Sequence, residues 1–177
     1  MKILVLRIHI QIKWMEPLVI PSPIVDTSAS TQDFLHRCPL AVEGLKFTKS
    51  HEWAKVEDEG KLASVGITEH AQEHLGDVIY VELPDVGVAV AQGTIVGSVE
   101  SVKASSDINS PVSGNIVEVN KELLSSPGLV NGSPYEKGWI MKVEMSSRDE
   151  LNNLMDPDEY SEYAKKKIPN ITEHKDT

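Results

Sequence analysis

Two stretches of the chain carry residue types whose spacing could support chemistry. The first is His70-Ala-Gln-Glu-His74, in which two imidazoles one helical turn apart have a glutamate beside them. This is the H-x-x-E-H pattern of a class of zinc peptidases, where both histidines bind the metal. Gly76 ends the predicted helix two residues later, and no partner for a third ligand is evident, whereas catalytic zinc needs three protein ligands and a bound water. We therefore interpret His70 and His74 as partly exposed side chains of a surface helix and expect no metal site.

The second stretch is Val99 to Gly114, which holds Lys103 near its centre. Runs typical of β-strands lie on both sides, and the three residues after the lysine are small. Glu100 and Asp107 stand three residues before and four residues after it. A tight turn between two strands would fix the amine without burying it, so a modifying enzyme could recognise it. The pattern predicts a presented lysine that is accessible to a modifying enzyme.

The composition excludes several other kinds of protein. The 177 residues are 40% hydrophobic and 25% charged, which is typical of a globular chain. A net charge of -10 with only 5% aromatic residues argues against a nucleic-acid partner. Cys38 is the single cysteine, so neither an internal disulfide nor a thiol-pair zinc site is expected. Neither a G-x-S-x-G nucleophile motif nor a glycine-rich phosphate loop occurs.

Short Val/Ile-rich runs separated by glycines predict a mainly β fold. Such spacing favours a small antiparallel barrel or sandwich. Gly93-Thr-Ile-Val is repeated as Gly114-Asn-Ile-Val, and a hairpin folded about Lys103 would pair these two arms. The predicted strands are LASVGI, DVIYVELP, TIVGSVESV, NIVEVN and WIMKVEM.

Short helices complete the prediction. One begins at the N-cap Thr68 and ends at Gly76. A second begins at Ser147, where a capping box with Glu150 is expected, and runs as far as the next proline. A further helical segment is predicted over 158–167, so the chain has a C-terminal helix followed by a frayed tail.

The first forty residues differ from the rest of the chain. Residues 1–41 carry a net charge of +1 and residues 42–177 a net charge of -11. The apolar run at the start is broken by Arg7 and Lys13, which makes it too short and too charged to span a bilayer. Two interpretations stay open, an organellar transit segment and a start that is not native. We expect no membrane partner.

The run ESVKASSDINSPVSGNIVEVN resembles the lipoyl-lysine segment of the glycine cleavage system H proteins. SHEW at 50–53, VGITEHAQEHLGDVIYVELPDVG at 65–87 and SPGLVNGSPYEKGWIMKV at 126–143 follow the family in the same order. Related lipoyl domains of 2-oxo acid dehydrogenases carry Asp-Lys-Ala and biotin carriers Met-Lys-Met, whereas this chain reads Val102-Lys103-Ala104. The resemblance implies a barrel-sandwich hybrid of the lipoyl/biotinyl hammerhead type. It divides the chain into a leader (1–41), a lipoyl-binding domain (42–168) and a flexible tail (169–177).

The same resemblance implies a carrier and not an enzyme. Lys103 would bear covalently attached lipoic acid and shuttle the aminomethyl group of glycine. The cargo would pass from the P protein (glycine decarboxylase) to the T protein (aminomethyltransferase), with reoxidation by the L protein (dihydrolipoamide dehydrogenase). Lipoylating enzymes would be further partners. The location would be the mitochondrial matrix, where the chain would take part in glycine catabolism.

The family also implies where the loaded arm docks. Matched residue by residue, these positions are Ser50, Glu52 and Asp107, with His74 a weaker match. We expect the Glu52 carboxylate to pair with the terminal ammonium and Ser50 and Asp107 to support it. An alternative function is a lipoate relay that donates lipoyl groups to other lipoyl domains, and a second is an interaction module without lipoate.

Overall fold

The computed structural model describes residues 44–57 and 60–167. The predicted leader, the predicted tail and Cys38 lie outside these residues. The helices found within these residues are too short and too polar to form a transmembrane span.

The described residues form two antiparallel sheets, as the mainly β prediction required. The larger has six strands in the order β1-β2-β3-β9-β8-β5, and the smaller has three in the order β4-β6-β7. The strands are β1 Leu45–Phe47, β2 Glu52–Glu57, β3 Leu62–Ile67, β4 Val78–Glu82, β5 Ala89–Val90, β6 Ile95–Ser101, β7 Ser105–Asn109, β8 Gly114–Val119 and β9 Met141–Met145. The helices are α1 Glu69–Leu75, α2 Leu129–Gly132 and α3 Pro157–Lys167, with 3-10 helices at Lys121–Leu124 and Asp149–Asn153.

Alternation of apolar residues places the core between the sheets. In β6, Val99 is buried while Glu100 is exposed, and in β7 Ile108 is buried while its neighbour Asp107 is exposed. Because successive side chains point to opposite faces of a strand, one face of the small sheet is directed inward and the other outward. The buried face packs with Ile67, Val81 and other apolar side chains in one cluster.

The hairpin predicted about Lys103 is confirmed, but its arms are not the two repeats. β6 pairs with β7, with Glu100 opposite Ser105. Gly114 instead begins β8, which pairs with β5 and β9 in the larger sheet. The prediction that the Gly93 and Gly114 repeats pair is therefore wrong, because the chain leaves the small sheet after Asn109.

The first and last helices follow the sequence signals. The Thr68 hydroxyl accepts a hydrogen bond from the Ala71 amide at 3.3 Å, and α1 ends at Gly76 with φ 75°. The C-terminal helix α3 packs Tyr160 flat against Phe47 of β1, with ring centroids 4.5 Å apart. The predicted C-terminal helix is confirmed, and it closes one end of the larger sheet.

The capping box at Ser147 does not form. The Glu150 carboxylate instead accepts hydrogen bonds from the Ser113 amide at 2.6 Å and the Ser113 hydroxyl at 2.7 Å. The segment is a short 3-10 helix, and Leu154 is already extended. Met155 then exchanges two backbone hydrogen bonds with Phe47, so tertiary partners replace the helix that local signals predict.

Candidate functional site

Lys103 lies at the tip of the β6–β7 hairpin. The Ser101 hydroxyl accepts hydrogen bonds from the Lys103 amide at 3.3 Å and the Ala104 amide at 3.0 Å. The Ser101 amide donates to the Ala104 carbonyl at 2.8 Å. Residues 101–104 thus form a turn that is held by hydrogen bonds to Ser101, and Lys103 is exposed in it. The geometry fixes the backbone and presents the side chain.

The lysine side chain lies across the C-terminal end of α1. A Cβ placed on Gly76 would stand 3.1 Å from the Lys103 Cε and 3.5 Å from its Nζ. Gly76 also has φ 75° and ψ -155°, a region that is accessible in practice to glycine alone. Its missing side chain leaves room for the lysine to pass along the helix end.

The Glu52 carboxylate is the most buried charged group of the predicted site. Its side chain is 1% exposed. One oxygen, Oε2, accepts from the Thr48 and Ser50 hydroxyls, the latter at 2.6 Å. The other, Oε1, accepts from the backbone amide of Asn109 at 2.9 Å and from its side-chain amide at 3.0 Å. A buried carboxylate requires this kind of compensation, since its desolvation is costly.

A tight turn before β2 brings these hydroxyls to Glu52. The Thr48 amide donates to the Glu52 carbonyl at 3.0 Å, and His51 has φ 75°, unusual for a residue with a side chain. His51 Nδ1 lies 2.8 Å from the Tyr160 hydroxyl, which also lies 2.7 Å from the Thr68 hydroxyl. The turn is therefore connected to α3 through Tyr160 and, through the same hydroxyl, to the N-cap residue Thr68 of α1.

Three imidazoles run from this turn along α1. The ring centroids of His51 and His70 are 4.6 Å apart, and those of His70 and His74 are 4.2 Å apart. His74 Nδ1 lies 2.7 Å from the His70 carbonyl oxygen. Gly76, beneath the lysine, follows two residues after His74. The helix therefore connects the lysine end of the site to the Ser50–Glu52 end over about 10 Å.

Two side chains, Tyr160 and Glu73, have shifted pKa values. Burial raises the pKa of the Tyr160 hydroxyl, although the hydrogen bond with Thr68 opposes the change. Burial, and then repulsion from Glu69, raises the pKa of the Glu73 carboxyl, while His74 opposes it. Within 44–57 and 60–167, no group of three or more His, Cys, Asp or Glu side chains could hold a metal. His70 is half-buried and Glu73 and His74 are exposed on α1.

Asp107 stands apart from the other predicted docking residues. It is exposed on β7 and lines a groove of about 680 Å³ together with Glu82 and Ser98. Among the residues that the structure describes, no hydrogen bond joins its side chain to Ser50 or Glu52. The strand nevertheless links them, because Asn109, which binds Glu52, follows Asp107 by two residues.

Sequence reasoning missed four residues that shape the site. Ser101 clasps the lysine turn, Gly76 leaves space beneath it, and Thr48 and Asn109 bind Glu52. Gly76 was identified only as a helix end, although its distance from Lys103 depends on the tertiary fold. Asn109 lies on a strand and Thr48 just before SHEW, so neither carried a local signal of its role.

The family model described as "Glycine cleavage H-protein" matches residues 45–167. Glycine cleavage system H protein 2, mitochondrial, of Arabidopsis thaliana is 62% identical over 125 residues, which cover 71% of this chain and 79% of that protein. The mitochondrial H protein of Pisum sativum is 53% identical over 123 residues, covering 70% and 73% respectively.

Among solved structures, the chain is similar to a glycine cleavage system H protein from Mycobacterium marinum. The TM-score is 0.61 at 36% sequence identity, and the match covers 70% of this chain and 95% of the other. This similarity confirms the predicted barrel-sandwich hybrid. The match over most of the described residues, together with these relatives, leads to one conclusion: the chain belongs to the glycine cleavage H-protein family, whose members are carrier subunits with covalently attached lipoate and not catalysts themselves.

Proposed function

We propose that the chain is lipoylated on Lys103 and carries the aminomethyl group of glycine from the P protein to the T protein. The L protein then reoxidises the arm, so the chain serves glycine decarboxylation and glycine catabolism. Lipoate supplies a disulfide that is reduced as it accepts the cargo. The protein's own residues present the attachment point, receive the loaded arm and exclude water from its end.

The observation that carries the proposal is the placement of the Lys103 side chain over Gly76. The lysine is exposed for a modifying enzyme, yet its side chain already lies against the end of α1. We place the arm along this helix, so that it would extend from Nζ past His74 to the turn that holds Ser50 and Glu52. Both ends of the proposed arm site are therefore connected by one short helix.

Glu52 is suited to bind the ammonium group of the cargo. It lies in a nearly dry position, where the attraction between a carboxylate and an ammonium is stronger than in bulk water. Ser50 is exposed beside it and offers a hydroxyl to the same group. Asp107 supports it from the outer face of β7 with a second negative charge.

The cellular context of the proposal comes from the relatives. Several H proteins similar to this chain are named mitochondrial. We place this chain in the mitochondrial matrix, with residues 1–41 as its transit segment and 42–168 as the lipoyl-binding domain. Its partners there are the P, T and L proteins and the enzymes that attach lipoate.

The first experiment measures where lipoate is attached. The chain is co-expressed with lipoylating enzymes and analysed by intact mass and peptide mapping. We expect a lipoyl increment confined to the peptide that contains Lys103 and absent from Lys103→Arg. Lys121→Arg, a change at another exposed lysine, should leave the increment intact. An unmodified chain, under conditions that lipoylate a control domain, would refute the carrier function.

The second experiment tests the shelter for the cargo. The lipoylated chain is loaded with the aminomethyl group by the P protein and glycine, and loss of the group is followed by mass spectrometry. Glu52→Gln preserves the shape of the side chain but removes its charge, so the half-life should shorten roughly tenfold. Glu100→Gln, an exposed carboxylate on the hairpin, serves as the matched control. Equal half-lives for Glu52→Gln and the parent would refute the role of Glu52.

A further inference from the structure

The Glu52 carboxylate has no vacant acceptor position. A carboxylate offers about four lone-pair sites. Thr48 and Ser50 use those of Oε2, and the two amides of Asn109 use those of Oε1. An ammonium group can therefore bind Glu52 only by replacing one of these four donors.

The four donors differ in how freely they can move. The Ser50 hydroxyl is exposed and turns about a single bond, so it can release Oε2 at low cost. The backbone amide of Asn109 cannot turn, because Asn109 lies in β7 opposite Ile95. Oε2 is thus the exchangeable oxygen, and Oε1 is anchored.

The anchoring residue also belongs to a particular strand. Among the strands that the structure describes, β7 is at the edge of the small sheet, so no neighbouring strand accepts its outward backbone amides. Glu52, from the larger sheet, accepts the Asn109 amide in place of a strand. The contact ties Glu52 to the strand that leads directly away from Lys103.

We propose that Asn109 is a positioning residue that anchors Glu52 through Oε1 and so leaves Oε2 to receive the ammonium group of the cargo. On loading, the ammonium replaces the Ser50 hydroxyl on Oε2, and that hydroxyl turns to accept a hydrogen bond from the ammonium. Asn109 keeps both of its bonds throughout. This inference rests on the proposed function, since it assumes that the cargo reaches Glu52.

The side chain at position 109 must donate a hydrogen bond to Glu52 Oε1, and it must be long enough to reach that oxygen. Aspartate has the same shape but would place a second carboxylate against Oε1, with repulsion in a nearly dry position. Alanine would leave only the backbone donor. Of the three, only asparagine supplies the second donor at this length.

The test compares Asn109→Asp with Asn115→Asp. The control makes the same chemical change at an exposed position of β8, outside the site. In the lipoylated, aminomethyl-loaded chain, Asn109→Asp should shorten the half-life of the cargo roughly tenfold, and Asn115→Asp should leave it unchanged. Unlipoylated protein provides a second readout, since the Glu52 carboxyl carbon signal in the NMR spectrum should move in Asn109→Asp and not in Asn115→Asp.

A double-mutant cycle separates positioning from a general structural role. If Asn109 acts through Glu52, then Glu52→Ala combined with Asn109→Asp should lose the cargo no faster than Glu52→Ala alone. Additive acceleration would overturn the proposal, as would a parental half-life or an unmoved Glu52 signal in Asn109→Asp.

The proposed function fails in a different way. A chain that is never lipoylated on Lys103 would refute the carrier function before cargo loss could be measured, and the NMR readout would still decide whether Asn109 holds Glu52. A parental half-life in Glu52→Ala would refute the shelter and, with it, the positioning role.

Discussion

The two ends of the proposed arm site are built in opposite ways. At the Lys103 end, a four-residue turn projects into solvent, and the neighbouring Val102 is 79% exposed. At the Glu52 end, the carboxylate is 1% exposed and accepts four hydrogen bonds. The charged side chain is exposed at one end, whereas at the other it is buried and hydrogen-bonded.

This difference suits two distinct tasks. A lysine that several enzymes must reach cannot be buried, so its turn is stabilised from within by Ser101. A carboxylate that is to hold a cation must be kept away from competing water, so it is buried and accepts hydrogen bonds from neighbouring donors. Side-chain substitutions should therefore have small effects on stability at the first end and large ones at the second.

The largest effect should come from removing the buried carboxylate. Glu52→Ala leaves the hydroxyls of Thr48 and Ser50 and the amides of Asn109 without their acceptor, so the free energy of unfolding should fall by about 2–3 kcal/mol. Urea denaturation measures it. Glu100→Ala, on the exposed face of the hairpin, should change it by less than about 0.5 kcal/mol. Equal losses for the two variants would contradict the contrast between the ends.

The junction between the two ends should be nearly as sensitive. Gly76→Ala puts a side chain into a glycine-only backbone region and against Lys103, and should cost about 1–3 kcal/mol. Gly128→Ala is the matched change, since φ there is -61° and, among the described residues apart from its neighbours in the chain, none comes within 4 Å of the added methyl group. Thermal unfolding of both variants provides the comparison, and a Gly76 variant as stable as the Gly128 variant would argue against it.

Alkaline pH should lower the free energy of unfolding, because Tyr160 ionises more readily in the unfolded chain. Burial raises the pKa of Tyr160 above its ordinary value of 10, so above that pH the unfolded chain loses the phenolic proton while the folded chain keeps it. The unfolded state then binds fewer protons, and stability falls by up to about 1.4 kcal/mol per pH unit. Below pH 10 this contribution is fully present. Unfolding free energies of the parent and Tyr160→Phe between about pH 9 and 11 isolate the effect; parallel slopes would exclude it.

The smallest effect should be that of salt concentration. It should change the transfer rates at the exposed Lys103 end more than the retention of cargo at the Glu52 end. Carboxylates on the outer face around the hairpin, among them Glu82, Glu100 and Asp107, give the exposed end a negative field. Transfer with the P and T proteins should slow a few-fold as salt rises from about 0.05 to 0.5 M, because exposed charges are screened. Retention of the cargo at buried Glu52 should change much less. Stopped-flow transfer and half-life measurements on the same samples test both, and a flat transfer rate would limit the acidity to a role in solubility.

Local sequence signals predicted the elements that depend on local contacts. Thr68 and Gly76 delimit α1 because a cap and a glycine act within one turn, and the strands follow from alternation of apolar residues. The same reasoning failed at Ser147, where Glu150 bonds Ser113 instead of the helix start. It also failed for the repeats at Gly93 and Gly114, since a four-residue match does not determine which strands pair.

The residues of the site also fall into those that local sequence predicts and those that depend on the tertiary structure. The sequence by itself determined the presented lysine, because small residues and flanking strand runs are local features, and the family resemblance added Ser50, Glu52, His74 and Asp107. Only the tertiary structure decided that Glu52 is buried and that Asn109 binds it, 57 residues away in the chain. It also decided that the Lys103 side chain crosses Gly76. Burial and hydrogen bonding between distant residues depend on how two sheets pack, and neither periodicity nor capping encodes that packing.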